Sequence, residues 1–438
     1  MAKINSTPVS IVIFGITGDL ARRKLIPALW KLFIRGNLPD DFSIIGFIRK
    51  KWSDNDLKKY VEDILKQENI KTDAKNKGRF IKSISCVFGD YSEEKSYKKL
   101  SDKLLEIDKN IGKCCLKLFH LAVPPEIYEV IFEQVHKSGL SGMRAGEGGR
   151  TRMLVEKPFG NNRREAEKLD QRLKAFFKEE QIFLVDHYMG KESMQNILKF
   201  RFSDSSLEHL WNSSFIEKIN IRLRESLGME GRGDFYDQIG ALRDVGQNHI
   251  LQMLAFIAME DPVVFEAEAM RRSRAKVLSE LHIIAKKELM KFVRRGQCED
   301  FLKEPFVSPT SKTETYFHLE ARVENKRWKG VPFFLESGKY LGISSVEIEV
   351  VFRKKNLRLG PRGEKLVSKN AILFRIQPNG GGTPDAYERV ILDCIAGDQT
   401  FFASAEEVLA SWEFITPIIE NWKDIPLEKY ARGWIPKK

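Results

Sequence analysis

Cysteine is scarce in this chain of 438 residues, with only Cys86, Cys114, Cys115, Cys298 and Cys394. No two form a CxxC pair and none has metal-ligand spacing, so neither a zinc module nor a disulfide-stapled scaffold is expected. No metal site is expected either. Cys114 and Cys115 fall in the apolar run CCLKLFHLAV and read as core. Long apolar runs are also missing: nothing approaches the ~20 residues that a membrane span needs. The early run VSIVIFG is too short for a signal sequence and has no cleavage pattern. A reducing cytoplasm is the default location. The chain has no arginine-rich tail and no internal repeat, and only 16 prolines.

Composition is that of a soluble globular protein, 42% hydrophobic and 31% charged. The length suits two or three domains. Lys+Arg minus Asp+Glu is 73 − 61 = +12, which favours anionic partners. Charge alone leaves nucleic acid, a membrane surface and small phosphorylated metabolites open. The basic residues are dispersed (22–24, 49–51, 163–164, 271–274), which argues against a dedicated nucleic-acid arm.

The first part alternates short apolar runs with amphipathic stretches. VSIVIFG (9–15), FSIIGFI (42–48), SISCVFGD, CCLKLFHLAV, RMLVEKP (152–158) and QIFLVDH read as strands. Between them lie helical patterns at 21–36 and 53–67, then EEKSYKKLSDKLLEI, PPEIYEVIFEQVHKSG and a charged helix. The 53–67 pattern has a serine cap and acids in its first turn. Such alternation predicts a doubly wound, mostly parallel sheet.

After about residue 190 the pattern changes. FIEKINIRLRE (215–225) reads as a strand, and Phe235 to Met259 as a buried helix. The segments 313–325, 344–354, 371–378 and AYERVILDCIAG (386–397) alternate in polarity, which suggests a large antiparallel sheet with one face covered by helices. A closing helix is expected over 404–422. GMRAGEGGRTR (142–152) and NGGGT (379–383) are glycine-rich loops. The expected organisation is a Rossmann-like α/β domain over 1–189 and an α+β substrate-binding and oligomerisation domain over 190–438.

Four stretches carry chemistry. In VSIVIFG-ITGDLARRKL, Gly15 and Gly18 sit at the first strand-to-helix turn, with Thr17 or Asp19 placed to cap the helix. Such a turn offers backbone amides to a phosphate. It departs from GxGxxG, because Thr17 stands where the second glycine would be. The second strand ends FIRKK, with Arg49, Lys50 and Lys51 where an NAD enzyme places a ribose-gripping acid. A guanidinium there suits the 2′-phosphate of NADP, although a solvated basic turn has the same composition.

The stretch VDHYMGKE (185–192) ends a buried strand with an acid, an imidazole, a phenol, an ammonium and a second acid. In GALRDVGQNHILQML (240–254), Arg243, Asp244, Gln247, Asn248 and His249 interrupt an apolar helix. Asp244 and Asn248 are four apart and share a face, with His249 beside them. Buried polar groups in that number must each find partners, which favours a site over plain core.

Together these stretches resemble the glucose-6-phosphate dehydrogenase family. GITGDLARRKL, VEKPFG (155–160), VDHYMGKE and DVGQNHILQ are similar to its motifs. So are ENKRWKGVPF…SGKYL (324–341), QPN (377–379) and PDAYERVILD (384–393), so the likeness runs from residue 11 to about 417.

The resemblance implies oxidation of glucose 6-phosphate at C1, with hydride passing to NADP and a lactone as product, the first step of the oxidative pentose phosphate pathway. His249 would be the base and Asp186 its hydrogen-bonding acid. His187, Tyr188 and Lys191 would hold the sugar phosphate. Glu225 and Asp244 would accept from sugar hydroxyls, and Lys339 and Gln377 would complete the substrate set. Lys157 would lie between substrate and cofactor. Gly15, Ile16, Thr17, Gly18, Asp19, Leu20, Arg22, Arg49 and His120 would line the NADP site. A homo-oligomer, a dimer or a dimer of dimers, is implied.

The chain departs from the family pattern in three places. Ser344 stands where a second basic residue is usual, five positions after Lys339. The excursion between QPN and PDAYER shrinks to GGGT, and the chain stops at GWIPKK. The last two argue against the additional structural NADP site of some relatives. Two other readings of the residues are a catalytically weakened relative that senses NADP or serves another sugar phosphate, and a basic nucleic-acid-binding α/β protein. The acids and histidines of 186–192 and 244–249 would have no role on a phosphate backbone.

Overall fold

The computed structural model describes residues 7–67, 74–142, 151–203, 205–353, 370–377 and 384–436. The NGGGT loop and most of the 142–152 loop lie outside the described residues. The chain divides into two compact units. The first takes the described parts of Met1–Gly160, Glu167–Gly190 and Gly381–Ala403; the second takes those of Asn161–Ala166, Lys191–Gly380 and Ser404–Lys438. The sequence suggested a single boundary at 189/190, but the chain returns to the first unit late.

The first unit is built on six strands: β1 (Val9–Phe14), β2 (Phe42–Ile48), β3 (Ile84–Phe88), β4 (Leu116–Leu121), β5 (Thr151–Glu156) and β6 (Ile182–Val185). Their order is β3-β2-β1-β4-β5-β6 and every pairing is parallel. β1, β2, β4 and β5 are buried along their whole length, the signature of a parallel sheet covered on both faces. The strand order reverses between β1 and β4. In such sheets ligands bind outside the carboxyl ends of the strands at that point. Gly15, Arg49, Lys157 and Asp186 each directly follow a strand.

The segment 386–397 corrects the expectation of a strand. Ala386–Ala396 is a helix, opened by Asp385, whose side chain accepts from the amides of Tyr387 and Glu388. Gly397 closes it in the left-handed conformation. Val390, Ile391, Cys394 and Ile395 are buried, three and four apart as on a helix face. Mixed polarity imitates alternation in so short a stretch, and the two caps decide the outcome. Glu388 ion-pairs with Arg35 at 2.5 Å and Arg152 donates to Ile395 O at 2.7 Å, fixing the helix to the first unit.

The second unit holds seven strands: β7 (Ile216–Arg224), β8 (Val293–Cys298), β9 (Tyr316–Arg322), β10 (Pro332–Gly338), β11 (Ser345–Phe352), β12 (Ala371–Arg375) and β13 (Leu427–Tyr430). The order is β12-β11-β7-β10-β9-β8-β13. The β7–β10 and β8–β13 pairings are parallel and the rest antiparallel, so the sheet is mixed and mainly antiparallel, as expected. Along β7, Ile219, Ile221 and Leu223 point to the core, while Arg222 and Arg224 on the opposite face pair with Glu347, Glu349 and Glu336. The helix Ala405–Glu420 packs against Ala267–Ser279 through the fully buried ion pair Arg274–Glu407.

Candidate active site

In the first unit, Gly15 has φ +81°. A Cβ there would lie 2.3 Å from Ala122 O, so glycine alone lets the turn rest on the end of β4. The Gly18 amide donates to Gly15 O at 2.8 Å and the Arg22 amide to Gly18 O at 3.0 Å. Ile16 is buried, Thr17 and Leu20 are half-buried, and Asp19 and Arg22 are exposed. Neither Thr17 nor Asp19 caps the helix. The chain is already helical at Asp19 and at Leu20, whose φ is −59° and ψ −48°, and Leu20 makes no side-chain cap bond. An oxygen cap needs extended backbone at that position. Asp19 instead faces Arg23 at 3.6 Å. A glycine-opened turn of amides at a strand end fits the phosphates of a dinucleotide.

Arg49 is exposed at the end of β2, its guanidinium 5.3 Å over the Tyr91 ring. Burial raises the Tyr91 phenol above its ordinary value, and Arg49 opposes that shift. At the end of β5, His120 Nε2 meets Glu156 Oε1 at 2.9 Å, and Tyr128 donates to Glu156 O at 3.0 Å. Lys157 follows, half-buried.

At the end of β6, Asp186 is 3% exposed, and its Oδ1 accepts from the Tyr188 amide at 2.9 Å. The His187 ring lies 5.0 Å from that of Tyr188. It also stacks on Tyr387 at 5.8 Å and 15°. Sequence reasoning gave Tyr387 no role. Burial pushes its phenol well up, and the nearby Glu156 and Asp186 carboxylates add to the shift.

In the second unit, Lys191 is the extended N-cap residue of helix Glu192–Phe202, its carbonyl accepting from the Met194 amide at 3.0 Å. The parallel register of β7 and β10 sets Arg224 opposite Gly338. The residues that follow therefore emerge together, and Lys339 Nζ bonds Glu225 Oε2 at 2.6 Å. Ser344 is also at this end: its Oγ accepts from the Ser226 amide at 2.9 Å and lies 2.7 Å from Ser226 Oγ. Gln377 is exposed, and its carbonyl accepts from the Ser193 hydroxyl at 3.5 Å.

The helix bearing Asp244 and His249 is not regular. Gly240 interrupts it at φ +73°, and Leu242–Ile250 is a π-helix. The expectation of a regular helix is therefore corrected: this stretch is wound i→i+5. Asp244 and His249 are five apart, and Asn248 Nδ2 reaches back to Arg243 O at 3.5 Å. His249 is 3% exposed and Asp244 half-buried.

Glu314 fixes the restart of this helix and had no sequence signal. Its Oε1 accepts from the Leu242 amide at 3.0 Å, its Oε2 from the Trp422 indole at 2.7 Å, and its carbonyl from the Ala241 amide at 3.1 Å. Burial raises its carboxyl above the usual range, and the Leu242 and Trp422 bonds pull it back.

A Rossmann-like unit with an amide-lined turn, joined to a mixed-sheet unit bearing a buried imidazole, carboxylates and a lysine, defines a dinucleotide-dependent oxidoreductase. Residues 12–196 match the model of the glucose-6-phosphate dehydrogenase NAD binding domain. Residues 198–382 and 379–438 match the C-terminal domain of the same family. The chain is 36% identical over 464 residues to the glucose-6-phosphate 1-dehydrogenase of Borreliella burgdorferi, covering 97% of this chain and 94% of that one. It is 35% identical over 460 residues to glucose-6-phosphate 1-dehydrogenase 2 of Mycobacterium bovis, covering 95% and 88%. A solved glucose-6-phosphate dehydrogenase in complex with its substrate glucose-6-phosphate superposes at a TM-score of 0.88 and 31% identity, covering 100% of this chain and 97% of that one. The Mycobacterium avium enzyme gives 0.83 and 30%, covering 98% and 95%. The chain belongs to the glucose-6-phosphate dehydrogenase family.

Proposed function

We propose that the protein oxidises glucose 6-phosphate at C1 to 6-phosphogluconolactone with NADP as its coenzyme, and that His249 is the base. The reading is carried by the presence, in one chain of this family, of Asp186, His187, Lys191, Glu225, Asp244, His249 and Lys339. His249 accepts the proton of the C1 hydroxyl, a role suited to an imidazole working near neutral pH. Asp186 is the acid assigned to support that transfer. Lys191, His187 and Tyr188 are assigned to the phosphate, and Glu225, Asp244, Lys339 and Gln377 to the sugar. Lys157 and His120 are assigned to the nicotinamide end of the coenzyme.

The turn Gly15–Leu20 would hold the pyrophosphate, and Arg49, with Arg22, would hold the 2′-phosphate, since a planar guanidinium binds phosphate in bidentate fashion. When bound, the coenzyme supplies the acceptor for the hydride that leaves C1. We read the protein as a cytoplasmic homo-oligomer, the free cysteines being in keeping with a reducing compartment; among the described residues no helix is long and apolar enough to cross a membrane.

The test is substrate deuterated at C1. Label appearing in the reduced coenzyme supports C1 as the hydride donor; a coenzyme reduced without label refutes it.

A further inference from the structure

Tyr236 took no part in the sequence reading. It lies in the helix Gly233–Ala241, ahead of the π-helical segment, and is 4% exposed. Its hydroxyl has no hydrogen-bond partner among the described residues. Buried hydroxyls in native proteins are nearly always bonded, so an orphan of this kind calls for a ligand or another explanation.

The surroundings say what kind of ligand. Lys339 Nζ lies 5.7 Å from the centre of the Tyr236 ring, while the same ammonium bonds Glu225. Phe301 packs edge-on at 6.0 Å, which leaves the phenol little freedom. After burial, the groups that hold the phenol protonated are Asp244, Glu314, Tyr430 and Glu225, in that order. Glu314 already accepts from Leu242 and Trp422, and the Tyr430 hydroxyl donates to Lys339 O at 2.9 Å. The other two carboxylates, Glu225 and Asp244, are the ones assigned to sugar hydroxyls. A phenol that stays protonated is a donor.

A sugar hydroxyl has one proton and two lone pairs. Where a carboxylate takes the proton, the oxygen needs a donor on its other side. We propose that Tyr236 is a specificity-determining residue: its hydroxyl donates to the ring hydroxyl whose proton goes to Glu225 or Asp244. A matched donor and acceptor around one hydroxyl distinguishes a sugar bearing it from one lacking it, because the analogue strands two buried groups. The assignment rests on the reading of Glu225 and Asp244 given above.

The test compares wild type and Tyr236→Phe in the full chain, with glucose 6-phosphate and with its 2-, 3- and 4-deoxy analogues, at saturating NADP. Tyr236→Phe keeps the ring and removes only an orphan donor, so Tm is expected to stay level or rise. kcat/KM for glucose 6-phosphate should fall about 5- to 10-fold, the scale of one neutral hydrogen bond, with KM for NADP unchanged. For one deoxy analogue the two proteins should be equal, which identifies the hydroxyl. An equal penalty with every analogue, no penalty at all, or a fall in Tm would overturn the assignment. If wild type fails to oxidise glucose 6-phosphate, the reading of the acids goes, and this assignment with it.

Discussion

His249 is 3% exposed in the π-helical segment that also carries Asp244. Replacing it with asparagine retains volume and polarity but removes the base. His249→Asn should fold normally, bind both ligands and lose at least about 10²-fold in kcat, the scale of general-base loss; near-normal turnover would exclude the role. Arg49 is exposed, so its removal should cost little stability. Arg49→Ala should raise KM for NADP about 10-fold, the loss of one charge-assisted contact, and leave KM for NAD nearly unchanged. Equal losses with both coenzymes would mark the arginine as structural. Ser344 lies beside Glu225 through its bonds to Ser226. An added ammonium there should strengthen the hold on a phosphate dianion. Ser344→Lys is therefore expected to lower KM for glucose 6-phosphate about 3- to 10-fold at unchanged kcat; an unaltered KM would place Ser344 outside the phosphate's reach.

Among the elements, the kink at Gly240 has the clearest consequence. Its positive φ excludes side chains by itself, and a Cβ would lie 2.4 Å from Glu314 Oε1. Gly240→Ala must displace the carboxylate that holds the Leu242 amide, so the helix start shifts and His249 with it. The expected result is a loss of about 2 kcal/mol or more, seen as a lower Tm, together with a fall in kcat. A stable, fully active variant would show that the kink does not set the site. Neither the kink nor the π-winding was legible in the sequence, because apolar spacing marks a helix without fixing its pitch. The strands of the first unit were legible, since all but β3 are continuous buried runs set between helices. Helix 386–396 was misread for the opposite reason: its polarity alternates enough to pass for a strand, while its caps, Asp385 and Gly397, are single residues. β8, β10 and β13 escaped notice because short strands such as VRRGQC and LEKY have no alternating apolar pattern.

For the molecule as a whole, the sequence carried the fold class of both units, a parallel sheet followed by a mainly antiparallel one. The acids, imidazoles and lysines proposed for the site sit at strand ends and in one helix, where their density in apolar surroundings is visible without coordinates. Glu314 and Tyr236 fall in no motif and Tyr387 had no role in the motif that contains it, and only folding brings each of them to the neighbours described. The surplus of +12 suits a doubly anionic sugar phosphate and a coenzyme with an extra phosphate, and favours their approach. The central claim is the pairing of that substrate with that coenzyme. The direct measurement follows reduced-coenzyme absorbance with purified protein, glucose 6-phosphate, and NADP or NAD in separate reactions, with free glucose and a second hexose phosphate as controls. The account predicts rapid reduction with glucose 6-phosphate and NADP, and a kcat/KM for NADP at least about 10-fold above that for NAD. No reduction with that pair, alongside activity on the second hexose phosphate, would contradict it.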